Sequence, residues 1–319
     1  MKKIYMVSIF ILALSMLFLP LAAGGIGGTE GEQLPAMGDA FLSPLPDNTE
    51  IIRVYRSQTG KIEEMSVKDY LFCVVAAEMP ALYETEALKA QTVAAYTYAM
   101  CKAAASENDY DITDDSSVDQ AFITVEEARA RWGESADTYE GKIRSAVESV
   151  LYEKITYESK LILAAYHAIS SGRTENAAEI WGGNYSYLTA VESTGDKLSP
   201  NYLSTVTFTA SDLKEKLSGY IDLQGNGDGW IGEIKRTQSG SVITAVINGN
   251  AISGDKIRKA LELRSANFDI AFADGTFTFT VRGYGHGIGM SQYGAHYMAM
   301  QGKTYKEILL HYYPGCAVE

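Results

Sequence analysis

The sequence predicts an α+β fold made of a lobe of mixed sheet and helices followed by a smaller, hairpin-rich lobe. Apolar residues recur at helical spacing in much of the segment 66–152, whereas short strands separated by turn residues predominate in the segment 203–282. A glycine-rich segment then precedes a last predicted helix. We therefore predict that residues 51–202 and 283–319 form the main lobe and that residues 203–282 form the second.

Residues 1–23 have the pattern of an export signal, because two lysines precede an apolar run that is long enough to span a bilayer of about 30 Å. A cleaved signal peptide and a retained membrane anchor both fit this pattern. Either one predicts an extracytoplasmic location for the rest of the chain. Residues 24–50 are rich in Gly, Pro and Glu and show no periodicity, which predicts a flexible linker.

The net charge argues against one kind of binding, and the number of cysteines limits disulfide pairing. The 319-residue chain has a formal net charge of −13 with no basic block to offset it, which argues against nonspecific binding to nucleic acid or anionic lipid. Its cysteines, Cys73, Cys101 and Cys316, cannot all pair within one chain. The first two lie among small apolar residues, where buried thiols are expected, and their spacing leaves a disulfide between them open.

The first predicted strand and helix place Glu78 near a helix end. Residues 51–55 predict a strand, and Thr59-Gly60 predicts the turn that ends it. Ser66 then has the features of a helix N-cap, with an acidic residue three positions later. Pro80 disfavours the helical conformation in the residue before it, so the helix is expected to end there. Glu78 therefore falls in the last helical turn.

Glu78 is the strongest candidate for an acid–base residue. The negative end of the helix dipole and the apolar run at 74–77 both disfavour its charged form, so we expect a raised pKa for this carboxyl group. A raised pKa suits a general acid at neutral pH. From these residues alone, the alternative is a solvated helix end without a chemical role.

The middle of the chain predicts helices, a loop and two buried strands. An alanine-rich helix starts at Thr85, and a polar, acidic loop follows from about 106 to 124. The last strand of this region brings Tyr166 and His167 to its end, before a hydroxyl-rich sequence. We predict helices over 125–132 and 139–152 and strands over 155–157 and 161–166.

The predicted second lobe contains hairpins and helices. The stretch from Asp222 to Glu233 departs from a calcium-loop pattern at Gln224, so we predict an ordinary loop there. Turn residues at Ser239-Gly240 and Asp274-Gly275 place the hairpin turns. The predicted elements are a helix at 211–220, a hairpin at 232–247, a helix at 254–263 and a hairpin at 268–281.

The segment 282–295 has the sequence RGYGHGIGMSQYGA, in which glycines alternate with polar side chains. Glycines at this density let the backbone approach a ligand or a neighbouring helix closely. No strand–loop–helix dinucleotide unit surrounds the segment, and it lacks the lysine of a Walker loop, so it is not a phosphate loop. A closing helix is predicted at 304–313.

Two separate motifs resemble the stage II sporulation protein D family, which includes amidase enhancers. They are VVAAEMP followed by EALKAQTVAA, and GHGIGMSQYGA. The resemblance implies a lytic transglycosylase that cleaves the bond between N-acetylmuramic acid and N-acetylglucosamine and leaves a 1,6-anhydro end, with Glu78 as its catalytic acid. One carboxyl group suffices, because it protonates the leaving oxygen and then accepts the proton of the C6 hydroxyl group.

We further predict a set of residues that contact the glycan strand or shape the cleft around the catalytic acid. A histidine at a strand end, followed by a small and hydroxyl-rich loop, is well placed to line a sugar cleft. No cofactor is predicted. The candidate substrate-binding residues are Lys89, Gln91, Tyr166, His167, Ser170, Ser171, Arg173, His286, Ser291, Gln292 and Tyr293.

The sequence departs from the family pattern in places that bear on metal and substrate. Relatives often carry two cysteines in the region of the 106–124 loop that help to hold a metal, whereas this chain has aspartates and neither cysteine nor histidine there. We therefore predict no zinc site of the family kind. Tyr96 stands where the family typically has Arg, and Ser171-Gly172 stands where it typically has two glycines.

Partner predictions also follow from the resemblance. We expect peptidoglycan glycan strands as substrate, the membrane as a contact of the N-terminal segment, and an amidase and a membrane scaffold of the engulfment machinery as partners, but no nucleic acid. A second function fits the same motifs: a noncatalytic glycan-binding protein that enhances a cell-wall amidase.

Overall fold

The computed structural model describes residues 51–319. The predicted export signal or anchor at 1–23 and the predicted linker at 24–50 lie outside the described residues. Within 51–319, no helix is long and apolar enough to cross a membrane. Helices and short strands both occur throughout this range, which confirms the α+β class.

The strands form several small sheets. The sheet orders are β2-β1-β3, β14-β4-β5, β13-β6, β10-β9-β8 and β11-β12-β7. In chain order the strands are β1 (Ile51–Arg56), β2 (Lys61–Ser66), β3 (Ile112–Thr113), β4 (Ile155–Tyr157), β5 (Lys160–Leu161), β6 (Tyr166–His167), β7 (Leu203–Thr209), β8 (Ile231–Arg236), β9 (Val242–Ile247), β10 (Asn250–Ser253), β11 (Phe268–Ala273), β12 (Thr276–Arg282), β13 (Met290–Ser291) and β14 (Ala317–Val318).

Helices contribute most of the first core, and α-helical residues such as Leu213 and Ile257 also belong to the second. Short 3₁₀ helices occupy Gly133–Ser135 and Thr194–Leu198. In chain order the α-helices are α1 (Val67–Glu78), α2 (Thr85–Ala105), α3 (Val125–Trp132), α4 (Ala136–Ser149), α5 (Ala177–Ile180), α6 (Ala210–Leu217), α7 (Gly254–Ala260), α8 (Gln292–Met300) and α9 (Tyr305–Tyr312).

The first hydrophobic core forms around α1 and α2. Ser66 caps α1, because its hydroxyl group accepts a hydrogen bond from the backbone N–H of Asp69 at 3.1 Å, as the sequence predicted. The small side chains of Ala90 and Ala94 are fully buried, which lets α2 pack closely against its neighbours. Helices α4, α8 and α9 contact α2, so α2 is the central helix of this core.

A second hydrophobic core lies within residues 208–281. In β12, Phe277, Phe279 and Val281 are buried, and the threonines between them are partly exposed. This alternation is what a sheet with one buried face requires, and β7 and β11 pair with β12 in antiparallel register. The core falls within the range predicted for the second lobe, whose boundaries stay a prediction.

Two predictions for the region 106–166 are wrong because they concern short strands that form by nonlocal pairing. The acidic region 106–124 is not entirely loop, since β3 pairs in parallel with β1. The run 161–166 is not one strand, since β5 ends at Leu161 and β6 begins at Tyr166. The glycine-rich segment also contains the start of α8, which the sequence analysis did not predict.

The closing motif returns to the first core through β13. This strand pairs in parallel with β6, so that Met290 lies beside Tyr166 and Ser291 beside His167. Gly289 precedes the strand at φ +71°, and a Cβ atom there would collide with the carbonyl group of Ala165. The glycine thus permits the close approach that joins two segments far apart in sequence.

Candidate active site

Glu78 is the last residue of α1 and is half-buried. The helix ends here because Met79, which precedes Pro80, has extended backbone angles of φ −130° and ψ 134°. The carboxylate therefore lies where the chain turns from α1 towards α2. The local prediction that Glu78 falls in the last helical turn is confirmed.

Three hydrogen-bond donors from distant parts of the chain meet the carboxylate of Glu78. Its Oε1 accepts from the backbone N–H of Ala121 at 2.8 Å and from the hydroxyl group of Tyr166 at 3.3 Å. Its Oε2 accepts from Nε2 of Gln292 at 3.2 Å. These donors come from the acidic loop, from β6 and from the first residue of α8. The fold thus brings the two sequence motifs together at one carboxylate.

The surroundings of Glu78 raise the pKa of its carboxyl group. Burial is the largest cause, because it disfavours the charged form. The hydrogen bonds from Ala121, Gln292 and Tyr166 favour the carboxylate and oppose this effect without cancelling it. None of the three donors carries a charge. The group therefore holds its proton to a higher pH than an ordinary glutamate while its charged form still has partners.

A chain of polar side chains extends from this site into the first core. Gln91 is buried, and its Oε1 accepts from Nε2 of Gln292 at 3.4 Å. On the other side, Nε2 of Gln120 donates to the hydroxyl group of Tyr166 at 2.7 Å. Of the predicted residues, Gln91, Tyr166 and Gln292 thus lie in the hydrogen-bond network of Glu78. Gln120 and Ala121 were missed, because loop residues without periodicity give no local signal.

Lys89 makes its polar contacts elsewhere. Its Nζ donates to Oε1 of Glu86 at 2.8 Å, and Oε2 of Glu86 accepts from the backbone N–H of Tyr305 at 2.8 Å. This arrangement links the start of α2 to the start of α9. The structure does not bring Lys89 into the hydrogen-bond network of Glu78.

The two predicted histidines lie next to each other. The rings of His167 and His286 are 5.7 Å apart between centroids, and His286 is also 5.2 Å from the ring of Trp181. Burial lowers the pKa of His167 to about 4 and that of His286 to about 3. Both rings are therefore neutral at physiological pH. Nδ1 of His167 is 3.1 Å from the carbonyl oxygen of Ile288, which fixes the ring against the closing motif.

Two of the predicted serines bind a buried carboxylate rather than the Glu78 site. Asp196 is fully buried, and its Oδ2 accepts from both the backbone N–H and the hydroxyl group of Ser170. Its Oδ1 accepts from the hydroxyl group of Ser291 at 2.8 Å. Ser291 also caps α8 by accepting from the backbone N–H of Gly294. These serines therefore hold together the loop after β6 and the start of α8.

The rest of the hydroxyl-rich loop contacts the turn between β8 and β9 and the segment around Glu192. The hydroxyl group of Ser171 donates to the carbonyl oxygen of Ser239 at 3.0 Å, and Arg173 lies 3.5 Å from the carboxylate of Glu192. A cavity of about 10 Å³ lies here, lined by Arg173 and Glu175 among others. That volume is about what one water molecule needs. The loop thus connects the segment after β6 with the turn between β8 and β9. Glu78 does not line its cavity.

Tyr293 belongs to an aromatic group beside α8. Its ring centroid is 6.1 Å from that of Tyr83 and 5.9 Å from that of His296, and the rings of Tyr83 and His296 stack at 4.3 Å. All three side chains are partly exposed. The backbone N–H of Glu84 also donates to Nδ1 of His296 at 3.1 Å, which ties the segment after Glu78 to α8.

The acidic loop is held by ion pairs. Asp114 lies 2.9 Å from Nε of Arg56, and Asp119 lies 2.9 Å from Nζ of Lys102. Among residues 51–319, no group of three or more His, Cys, Asp or Glu side chains could hold a metal ion. Basic side chains therefore engage both Asp114 and Asp119. Cys73 and Cys101 are buried free thiols whose pKa is raised to about 12 by burial.

Comparisons with known proteins agree with the two motifs. A sequence model of the family described as stage II sporulation protein matches residues 55–157. The chain is 39% identical to stage II sporulation protein D of Bacillus subtilis over 272 residues, which cover 84% of this chain and 78% of that protein. It is also 39% identical to stage II sporulation protein D of Bacillus amyloliquefaciens over 276 residues, covering 85% of this chain and 79% of that protein.

A more distant similarity connects the chain to an amidase enhancer. It is 27% identical to the amidase enhancer of Bacillus subtilis over 293 residues, which cover 76% of this chain and 39% of that protein. The extent and identity of the matches to the two sporulation proteins decide the classification. The chain belongs to the stage II sporulation protein D family.

Proposed function

We propose that the protein is a peptidoglycan lytic transglycosylase that cleaves the bond between N-acetylmuramic acid and N-acetylglucosamine in strands stripped of their peptides. The observation that carries this proposal is the carboxyl group of Glu78. It is partly exposed, its pKa is raised by burial, and it accepts hydrogen bonds from three uncharged donors. The partial exposure leaves the group accessible to a substrate, and the raised pKa favours its protonated form.

In the proposed reaction, Glu78 acts first as an acid and then as a base. Its proton moves to the glycosidic oxygen as the bond from the anomeric carbon to that oxygen breaks, which releases the N-acetylglucosamine side with a hydroxyl group. The C6 hydroxyl oxygen of the muramic acid then bonds to the anomeric carbon, and its proton moves to the Glu78 carboxylate. The cycle consumes no water and restores the protonated acid.

The three donors have a defined role in this cycle. The carboxylate that forms after the first proton transfer is partly buried, so it would be unstable without hydrogen bonds. The N–H groups of Ala121 and Gln292 and the hydroxyl group of Tyr166 are already directed at its two oxygens. Because they are in place before the reaction, no reorganisation is needed when the charge develops.

We infer the biological setting from the relatives. Two of them are named for stage II of sporulation, which supports a role in remodelling the cell wall during sporulation and engulfment. We further propose that the protein works outside the cytoplasm, anchored or secreted through residues 1–23, with an amidase and a membrane scaffold as partners. Peptidoglycan is the proposed substrate, so the protein and its partners would meet on the wall.

A second candidate function is a noncatalytic glycan-binding protein that enhances a cell-wall amidase. The similarity to the amidase enhancer of Bacillus subtilis favours it. In this case the cleft at Glu78 would bind glycan strands without cleaving them. The two functions differ in whether new anhydro ends form.

The experiment incubates the purified full chain with peptide-free glycan strands in water enriched in oxygen-18 and analyses the products by mass spectrometry. The proposal expects 1,6-anhydromuramic ends without the heavy isotope, and their loss in Glu78→Gln. Glu84→Gln is the matched control, since Glu84 is exposed and lies only six residues further along the chain. Products labelled with oxygen-18 would indicate a hydrolase, and glycan binding without any product would favour the amidase enhancer.

A further inference from the structure

The segment Asp119–Ala121 is anchored at one end and contacts the candidate acid at the other. The carboxylate of Asp119 lies 2.9 Å from Nζ of Lys102 and accepts from the backbone N–H of Thr113 at 3.0 Å. Two residues later, the backbone N–H of Ala121 donates to Glu78 at 2.8 Å. Gln120 lies between these contacts, and only 2% of its surface is exposed.

Both N–H donors and the oxygen of the Gln120 amide group form hydrogen bonds. Its Nε2 donates to the carbonyl oxygen of Ala95 at 3.3 Å and to the hydroxyl group of Tyr166 at 2.7 Å. Its Oε1 accepts from the hydroxyl group of Tyr70 at 2.6 Å. A carbonyl oxygen can only accept, so the Ala95 contact fixes which end of the amide is the NH₂ group. The amide therefore has one orientation.

That orientation determines where the hydrogen of the Tyr166 hydroxyl group points. A tyrosine hydroxyl group has one hydrogen to donate, and its oxygen can also accept. Because the oxygen of Tyr166 already accepts from Gln120, its own hydrogen is directed to the other neighbour, Oε1 of Glu78 at 3.3 Å. Hydrogen bonds joined in this way strengthen one another.

We propose that Gln120 is a positioning residue, which acts through Tyr166 to hold and orient the carboxylate of Glu78. This role rests on the proposed function of Glu78. Gln120 does not touch the substrate. It makes Tyr166 a donor rather than an acceptor, so that Tyr166 stabilises the carboxylate form of the acid after it has given up its proton.

The groups that face the carboxylate of Glu78 keep their charge state while it titrates, so its titration can test this role. Tyr70 on α1, Tyr98 on α2 and Tyr166 on β6 are near enough to interact with its charge, and burial raises the pKa of each, so all three stay neutral. Asp119 beyond them is paired with Lys102. A change in the titration of Glu78 therefore reports its hydrogen bonds and its burial.

The test is a double-mutant cycle between Gln120→Met and Tyr166→Phe in the full chain. Methionine keeps the shape of the glutamine side chain but cannot donate to Tyr166. The titration of Glu78 is followed by carbon NMR of its carboxyl group. In parallel, the cleavage rate is measured as a function of pH, and the alkaline limb of this pH–rate profile is compared between variants. Gln224→Met is the matched control, since Gln224 is exposed and far along the chain.

We expect each single substitution to move the titration of Glu78 and the alkaline limb to higher pH, because a bond that favours the carboxylate is lost. The double variant should move no further than Tyr166→Phe alone, and kcat of Gln120→Met should fall about tenfold with little change in KM. Additive shifts, or no shift in Gln120→Met, would overturn the proposal. If Gln120→Met does not fold, Gln120→Asn withdraws the amide by one methylene group and must give the same direction.

The NMR titration separates this inference from the proposed function. If the wild-type chain cleaves no glycan, the proposed function fails, but the carboxyl group of Glu78 still titrates and its dependence on Gln120 can still be measured. If the chain cleaves glycan and the titration of Glu78 is the same in wild type and in Gln120→Met, the positioning role alone fails.

Discussion

Glu78 and Asp196 are both acidic residues whose pKa is raised by burial, yet they differ in what surrounds them. Glu78 is partly exposed, and its donors come from three distant segments. Asp196 is fully enclosed and binds Ser170 and Ser291. A raised pKa therefore does not identify a catalytic acid by itself. Access to solvent decides which of the two can exchange a proton with a substrate.

The surroundings of Asp196 also help to position a hydrogen-bond donor of Glu78. Asp196 binds Ser291, which caps α8, and the first residue of α8 is Gln292, whose amide group donates to Glu78. The buried Asp196 thus fixes the start of the helix that delivers a donor to the partly exposed Glu78. We expect substitutions at Glu78 to change chemistry and substitutions at Asp196 to change stability first.

The largest expected effect is the loss of cleavage in Glu78→Gln. Glutamine keeps the size of the side chain but cannot give or take the proton, so the rate of anhydro-product formation should fall at least about a hundredfold. The measurement is product formation together with a thermal melt. A variant that melts like the wild type and still cleaves at the wild-type rate would show that Glu78 is not the acid.

Asp196→Ala should have the second largest effect, on the free energy of unfolding. The substitution leaves the buried donors of Ser170 and Ser291 without an acceptor, which we expect to cost about 2 to 4 kcal/mol. Urea unfolding monitored by circular dichroism measures this loss. Asp212→Ala is a control, because Asp212 lies in the second core region and caps the exposed start of α6. An equal loss in both variants would contradict the role of Asp196.

The pH dependence of stability should separate wild type from Glu78→Gln by a smaller amount. The folded protein raises the pKa of Glu78, so this group favours the folded state most at low pH, and that contribution is lost as the pH rises through the folded pKa. The free energy of unfolding of the variant relative to wild type should therefore increase from about pH 4 towards neutrality. Urea unfolding across this range tests the sign, and a constant difference would contradict the raised pKa.

Local sequence signals predicted several helices, among them α1 and α2, and the position of Glu78, whereas α8 was not predicted and nonlocal pairing determined the rest of the site. The cap at Ser66 and the stop at Pro80 are local, so the bounds of α1 followed from neighbouring residues. Gln120 and Ala121 lie in a polar loop whose position depends on β3 and on ion pairs with distant residues. No spacing within the loop indicates that its backbone N–H reaches Glu78.

The roles of the polar residues were harder to predict than their positions. Ser170 lies in the hydroxyl-rich loop and Ser291 in the glycine-rich motif, and both sequences resemble a substrate site. A serine hydroxyl group can form hydrogen bonds with a sugar as well as with a buried carboxylate. Only the fold shows that Asp196, far from either serine in sequence, takes their hydrogen bonds. The loop aspartates Asp114 and Asp119 form ion pairs with Arg56 and Lys102, and the composition of the loop does not reveal these partners.

The smallest expected effect is that of Lys89→Ala, which distinguishes a surface ion pair from a contact with the glycan strand. Lys89 and Glu86 are both partly exposed, so their ion pair should contribute less than about 1 kcal/mol to the free energy of unfolding. Because Lys89 does not enter the network of Glu78, we expect kcat and KM for cleavage to stay within about twofold of wild type. A steady-state comparison at low and high salt measures this. A tenfold rise in KM that disappears at high salt would instead mean that Lys89 binds a carboxylate of the substrate, and the cleft would then extend from Glu78 along the start of α2.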